Sequence, residues 1–219
     1  MQTDELIKRL VADLQPVRPL RSPSARALLW LALALSCVAL VVRDKLMLLD
    51  PPQVAADARF MVEQGATLAT GLAAAIAAFR SIIPGYDRRM LLLPLPPLGL
   101  WIASVGRGCA QDWAQLGADG LTLRPDWDCL LPAVLISIVP AVAMVAMLRK
   151  GWPPQPGVTL ALGALAVASI ANLGMQFAHV HDASIMVLAW HLGAAAVLSA
   201  LGAWLGSQVL SSPHSPRLR

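Results

Sequence analysis

Charge is what this sequence has least of. Of its 219 residues, 14% are charged and 57% are hydrophobic, whereas a soluble domain carries about 25% charged residues. Enzyme motifs are missing as well. There is no phosphate-binding glycine loop, no Gly-x-Ser-x-Gly, no His-Glu-x-x-His and no Cys-x-x-Cys pair. Nucleotide, serine-hydrolase, zinc-protease and dithiol chemistry therefore lose their usual sequence carriers. The expectation is a protein that is not an enzyme and needs no cofactor. The first 26 residues hold no apolar core of the kind a cleavable leader requires, so the N-terminus is expected to be retained and cytoplasmic. No strong internal repeat is visible, which argues against a transporter built on inverted repeats. The net charge of +4 does not point to direct nucleic-acid binding, because the basic residues sit at the ends of apolar runs and not on one soluble element.

What is present is a set of six apolar segments. Ala27 to Val42, Gln64 to Phe79, Met90 to Gly106 and Cys129 to Leu148 are uncharged. Val158 to Ala178, inside a longer uncharged run, and Ala183 to about Leu210 complete the set. A bilayer core needs about 20 helical residues, with about 17–25 tolerated. The first two runs are slightly short, so Arg26, Arg43, Glu63 and Arg80 are expected to snorkel to the interface. Trp30, Trp101, Trp113, Trp127, Trp152 and Trp190 fall near expected interfaces or in loops, as an aromatic belt does. Pro94, Pro96 and Pro97 lie within the third segment and predict a kink. Gly202 and Gly206 form a Gly-x-x-x-Gly spacing, read as packing inside one bundle.

The fold class is thus all-α: a polytopic six-transmembrane-helix bundle. Its expected divisions are a cytoplasmic arm (1–26), a transmembrane domain (27–210) and a cytoplasmic tail (211–219). Orientation follows from the basic residues. With the N-terminus inside, Lys8, Arg9, Arg18, Arg21, Arg26, Arg80, Arg88, Arg89, Arg149, Lys150, Arg217 and Arg219 are cytoplasmic. Arg43, Lys45, Arg59, Arg107 and Arg124 are outside. That imbalance predicts a multi-pass protein of a bacterial inner membrane with both termini in the cytoplasm.

The arm carries the clearest soluble signal. Thr3 is a candidate N-cap, and Asp4 and Glu5 follow in the first turn, where the helix dipole favours acids. Leu6, Ile7, Leu10, Val11 and Leu14 recur on one helical face. Lys8, Arg9 and Asp13 take the others, and Pro16 ends the helix. Val17 to Pro23, with Arg18, reads as an extended connector. A helix of this length is marginal alone in water, so its apolar face needs either a lipid surface or a protein groove. Asp4, Glu5 and Asp13 disfavour the lipid surface.

Cys37 reads as a buried small hydrophobe. Cys109 and Cys129 flank the outside loop between the third and fourth segments, in a compartment that permits disulfides. Three states are open to them: a structural disulfide, a reversible thiol switch, or a metal-binding pair. His179 and His181 share that compartment, so the four side chains could form a tetrahedral metal site. Their spacing matches no standard motif, and the plainer reading of the histidines is a polar cap on a tight turn. His191 reads as a hydrogen-bonded ring in the sixth segment.

Several stretches together resemble one family. They are Thr3-Asp4-Glu5-Leu6-Ile7, Asp13-Leu14-Gln15-Pro16-Val17-Arg18-Pro19, and Leu91 to Trp101 (Leu-Leu-Leu-Pro-Leu-Pro-Pro-Leu-Gly-Leu-Trp). Gly108-Cys109, Asp126-Trp127-Asp128-Cys129 and Trp190-His191-Leu192-Gly193 complete the set. Nearly end to end, the chain is similar to the NrsF family of membrane anti-sigma factors, negative regulators of an extracytoplasmic-function sigma factor. The resemblance implies that the arm holds a sigma factor at the membrane and that an outside stress releases it. It also implies that the family's paired extracytoplasmic cysteines correspond to Cys109 and Cys129. From the arm, the expected sigma-binding residues are Asp4, Glu5, Leu6, Ile7, Leu10, Val11, Asp13, Leu14, Val17 and Arg18. Membrane lipids are the other expected partner. A membrane thiol oxidoreductase using the two cysteines, or a small transporter, is the alternative.

Overall fold

A computed structural model describes residues 3–12, 20–46, 57–117, 130–151, 153–178 and 192–210. Its helices are α1 (Thr3–Ala12), α2 (Pro23–Leu46), α3 (Ala58–Arg80), α4 (Leu95–Leu116), α5 (Leu130–Leu148), α6 (Pro156–Ala178) and α7 (Gly193–Leu210). A 3-10 turn, Arg88–Leu92, leads into α4. No strand occurs among the described residues. Six of the helical stretches are long and apolar enough to cross a membrane, from Pro23–Arg43 to Gly193–Leu210. The protein is a multi-pass, all-helical membrane bundle.

The first two spans, Pro23–Arg43 and Ala58–Arg80, extend past the uncharged runs to include flanking charges. Ser22 starts α2: its hydroxyl accepts from Ala25 N–H at 3.3 Å and its carbonyl from Arg26 N–H at 3.0 Å. Pro23 occupies the first helical position, where its missing N–H costs nothing. Asp57 caps α3 by accepting from the N–H groups of Arg59 and Phe60 at 3.0 and 3.1 Å. Helix α1 begins at Thr3 itself, so this threonine sits in the first turn.

The proline-rich stretch departs from expectation. Pro94 is the N-cap of α4, and Pro96 and Pro97 lie in its first turn. First-turn prolines lack an N–H that would have no helical partner anyway, so they begin the helix and do not kink it. Pro140, by contrast, lies inside helix α5.

Helices α6 and α3 form the centre. Helix α6 packs against α7, α3, α5 and α2, while α4 packs on α3. Alanines 74, 75, 77 and 78 of α3 are buried in this core with Phe79, Ile136, Met144, Leu148 and Ile170. The Gly-x-x-x-Gly pair of α7 faces α6 within the same chain. A Cβ at Gly202 would lie 3.0 Å from the carbonyl oxygen of Leu160, and one at Gly206 would overlap the backbone of Pro156 and Gly157. Only glycine allows that approach. Large apolar side chains such as Leu40, Leu131, Val142 and Trp204 point outward, where a bilayer would cover them.

Candidate functional site

The described side chains of α1 are all exposed, Leu6, Ile7 and Val11 included. Asp4 and Glu5 stand in the first turn. The helix has no substantial packing against the bundle. Leu6, Ile7 and Val11 are therefore left uncovered by the described bundle. Leu10 lies within this helix; Asp13, Leu14, Val17 and Arg18 lie outside the described residues.

The root of the arm is held differently. Arg26 was expected to snorkel, yet it is only 6% exposed. Its guanidinium donates to the carbonyl of Met147 and lies 4.6 Å above the Phe79 ring. Met147 is in the last turn of α5, where carbonyls lack helical donors and the dipole is negative. Arg149 does the same for α7, donating from Nε to the carbonyl of Val209 at 2.8 Å. Nearby, Ser81 and Thr159 share a buried hydroxyl contact of 2.7 Å. Arg26 and Arg149 thus act as caps on neighbouring helices.

At the opposite end of the bundle, Glu63 was also expected to snorkel. It is buried, with its carboxylate accepting from Arg59 Nε at 2.9 Å and from the Ser104 hydroxyl at 3.3 Å. The i,i+4 spacing of Arg59 and Glu63 was the signal available in the sequence. Gly108 makes room for that guanidinium, since a Cβ there would overlap it. Next to it, Cys109 is half-buried, with no disulfide partner among the described residues, and packs against Ala66, Trp101 and Val105. The charges of Asp112, Arg59 and Glu63 act on this thiol. Cys129, His179, His181 and His191 lie outside the described residues. Among the described residues, no group of three metal-ligating side chains occurs.

Two tryptophans expected in an aromatic belt are core residues instead. Trp30 is fully buried and donates from Nε1 to the carbonyl of Pro140 at 2.9 Å. Trp101 is 4% exposed. Trp113 is exposed near the end of α4, as a belt residue would be, while Trp127, Trp152 and Trp190 lie outside the described residues. Gln64 and Gln176 join α3 to α6 by a buried amide–amide hydrogen bond.

A family model, NrsF, described as "Negative regulator of sigma F", matches residues 10–211. Neither the curated proteins nor the solved structures contain a match.

Proposed function

The chain belongs to the NrsF family of negative regulators of a sigma factor, and from that premise we propose that it tethers an extracytoplasmic-function sigma factor to the inner membrane through α1. It acts by binding and not by catalysis. The observation that carries this reading is the unpacked amphipathic helix at the head of a membrane bundle. The family match begins at Leu10, so the first turns of α1 support the reading by their own exposure and pattern. The sigma factor receives the face formed by Leu6, Ile7, Leu10, Val11 and Leu14, with Asp4, Glu5 and Asp13 beside it and Val17 and Arg18 continuing the contact along the connector. Sequestration in this form keeps the sigma factor from RNA polymerase.

The test is co-purification. Full-length protein extracted from membranes should bring down the sigma factor, and a variant lacking residues 3–12 should bring down none while inserting at normal levels. Equal recovery with both would overturn the arm's role.

The orientation is N-in and C-in, supported by the clustering of basic residues at the arm's end of the bundle. Reporter fusions after Val17, Arg88, Lys150 and Arg217 should report cytoplasm. Fusions after Asp50, Gly117 and Asp182 should report periplasm. An external Arg88 would rule out this topology.

Release begins at the outer end, with Cys109 and Cys129 responding together to a thiol-reactive or metal stress. Transmission to the arm requires two helix arrangements. A Cys109→Ser, Cys129→Ser double variant should keep the sigma factor bound and stay abundant, but lose induction by the stress. A variant that is scarce or derepressed without stress would indicate a structural disulfide instead. One that induces like the parent would remove the cysteines from signalling.

A further inference from the structure

A small pocket lies between α3, α4, α6 and α7, with about 20 Å³ of room for water. Its walls include Thr67, Thr70, Trp101, Ser169, Asn172 and Ala195. Two polar atoms of these lining residues are buried with no partner among the described residues: Nε1 of Trp101, a donor, and Oδ1 of Asn172, an acceptor. The hydroxyls beside them are already committed as donors. Thr67 gives its proton to the Glu63 carbonyl at 2.7 Å, Thr70 to Ala66 at 2.7 Å, and Ser169 to Leu165 at 2.8 Å. Each hydroxyl oxygen keeps a lone pair for a further donor. None of them can serve both the indole N–H and the amide oxygen.

We propose that this pocket is an internal water site, in which one bound water accepts from Trp101 Nε1 and donates to Asn172 Oδ1. Its second proton goes to a threonine or serine hydroxyl oxygen of the wall. Water is the ligand class that fits on three counts. The space exceeds the roughly 10–15 Å³ that one water requires. Among the described residues no charged side chain lines it, so neither an anion nor a cation finds a counter-charge there. The unmet groups are one donor and one acceptor, which an acyl chain cannot satisfy and a water can. In a membrane interior no bulk solvent offers the same service. The site also matters for the assembly. Helix α4, which carries Cys109, packs chiefly on α3 and has little direct packing on α6; the water makes a polar link from α4 to α6.

The test uses full-length protein with ¹⁵N-labelled tryptophan indoles in lipid nanodiscs. Magnetisation transfer from water to indole N–H groups is recorded, and the Trp101 signal is assigned by its loss in Trp101→Phe. Trp101 should show direct transfer from a long-lived water. Trp30, whose N–H is occupied by the Pro140 carbonyl, should show none and serves as the internal control. Absence of transfer at Trp101 would mean a dry pocket and overturn the proposal. Asn172→Leu, which removes the acceptor and adds apolar bulk, should abolish the transfer while the Trp30 signal stays in place, reporting an intact bundle. Transfer that persists unchanged in Asn172→Leu would show that this pair does not hold the water.

Discussion

Leu10→Asp will free the sigma factor and leave the membrane bundle standing. Leu10 shares the apolar stripe of α1 with Leu6, Ile7 and Val11 by helical spacing, and those three neighbours are exposed. Among the described residues this helix has no substantial packing on the bundle, so a charge at position 10 should impose little folding cost. In the proposed complex the same position is a buried anchor. Burying a leucine contributes about 1.5–3 kcal/mol, and placing a carboxylate in an apolar contact adds a desolvation cost. A total of about 3–4 kcal/mol corresponds to roughly 100- to 1,000-fold weaker binding. Transcription from a sigma-dependent promoter should therefore be high without stress, at parental levels of membrane protein. Lys8→Gln, on another face, should change repression by less than about threefold, since exposed charges contribute about 0–1 kcal/mol. A stably inserted Leu10→Asp protein that represses like the parent would disprove the assigned face.

Arg26→Ala will destabilise the bundle without touching the arm. The arginine gives a charge-assisted hydrogen bond to the end of α5 and covers the Phe79 ring at the end of α3. The first is worth about 1.5–3 kcal/mol and the second about 0.5–2 kcal/mol. Part of that is offset by the cost of burying the guanidinium, so a net loss of about 1–3 kcal/mol is expected. It should appear as a lower melting temperature of the protein in nanodiscs. Arg26→Lys should fall between the two, because an ammonium retains charge but lacks the planar face that stacks on the ring. A melting temperature equal to the parent's for Arg26→Ala would show that the contact carries no stability. Sigma-factor recovery at temperatures below the transition should be unchanged, which separates the root of the arm from its binding face.

The two substitutions differ in how visible their residues were beforehand. Leu10 belongs to a periodic stripe, and periodicity is a local property that survives in the bare sequence. Arg26 gave only its place at the end of an apolar run. That place is compatible with reaching out to lipid headgroups or turning in to cap another helix, and the choice depends on a carbonyl 121 residues away. Glu63 was ambiguous for the same reason: its i,i+4 partner Arg59 was local, but burial against Ser104 of α4 was not.

By itself the sequence determined the six spans, the exposed amphipathic arm and the family resemblance. Apolar length, helical period and linear motifs are written along the chain and need no neighbour to define them. The positions of the tryptophans and prolines required the packed bundle. Trp30 lies near a span end, as an interfacial anchor does, yet it is buried because α5 offers the Pro140 carbonyl opposite it. Pro94, Pro96 and Pro97 sit in an apolar run, yet they start α4 because a separate 3-10 turn precedes it. The Gly202–Gly206 spacing marked a close approach without naming its partner, and α6 supplied it. The unpartnered Trp101 and Asn172 met at one pocket only when four helices converged. Burial and pairing between residues far apart in sequence are decided by which helices touch, and that information exists only once the bundle has closed.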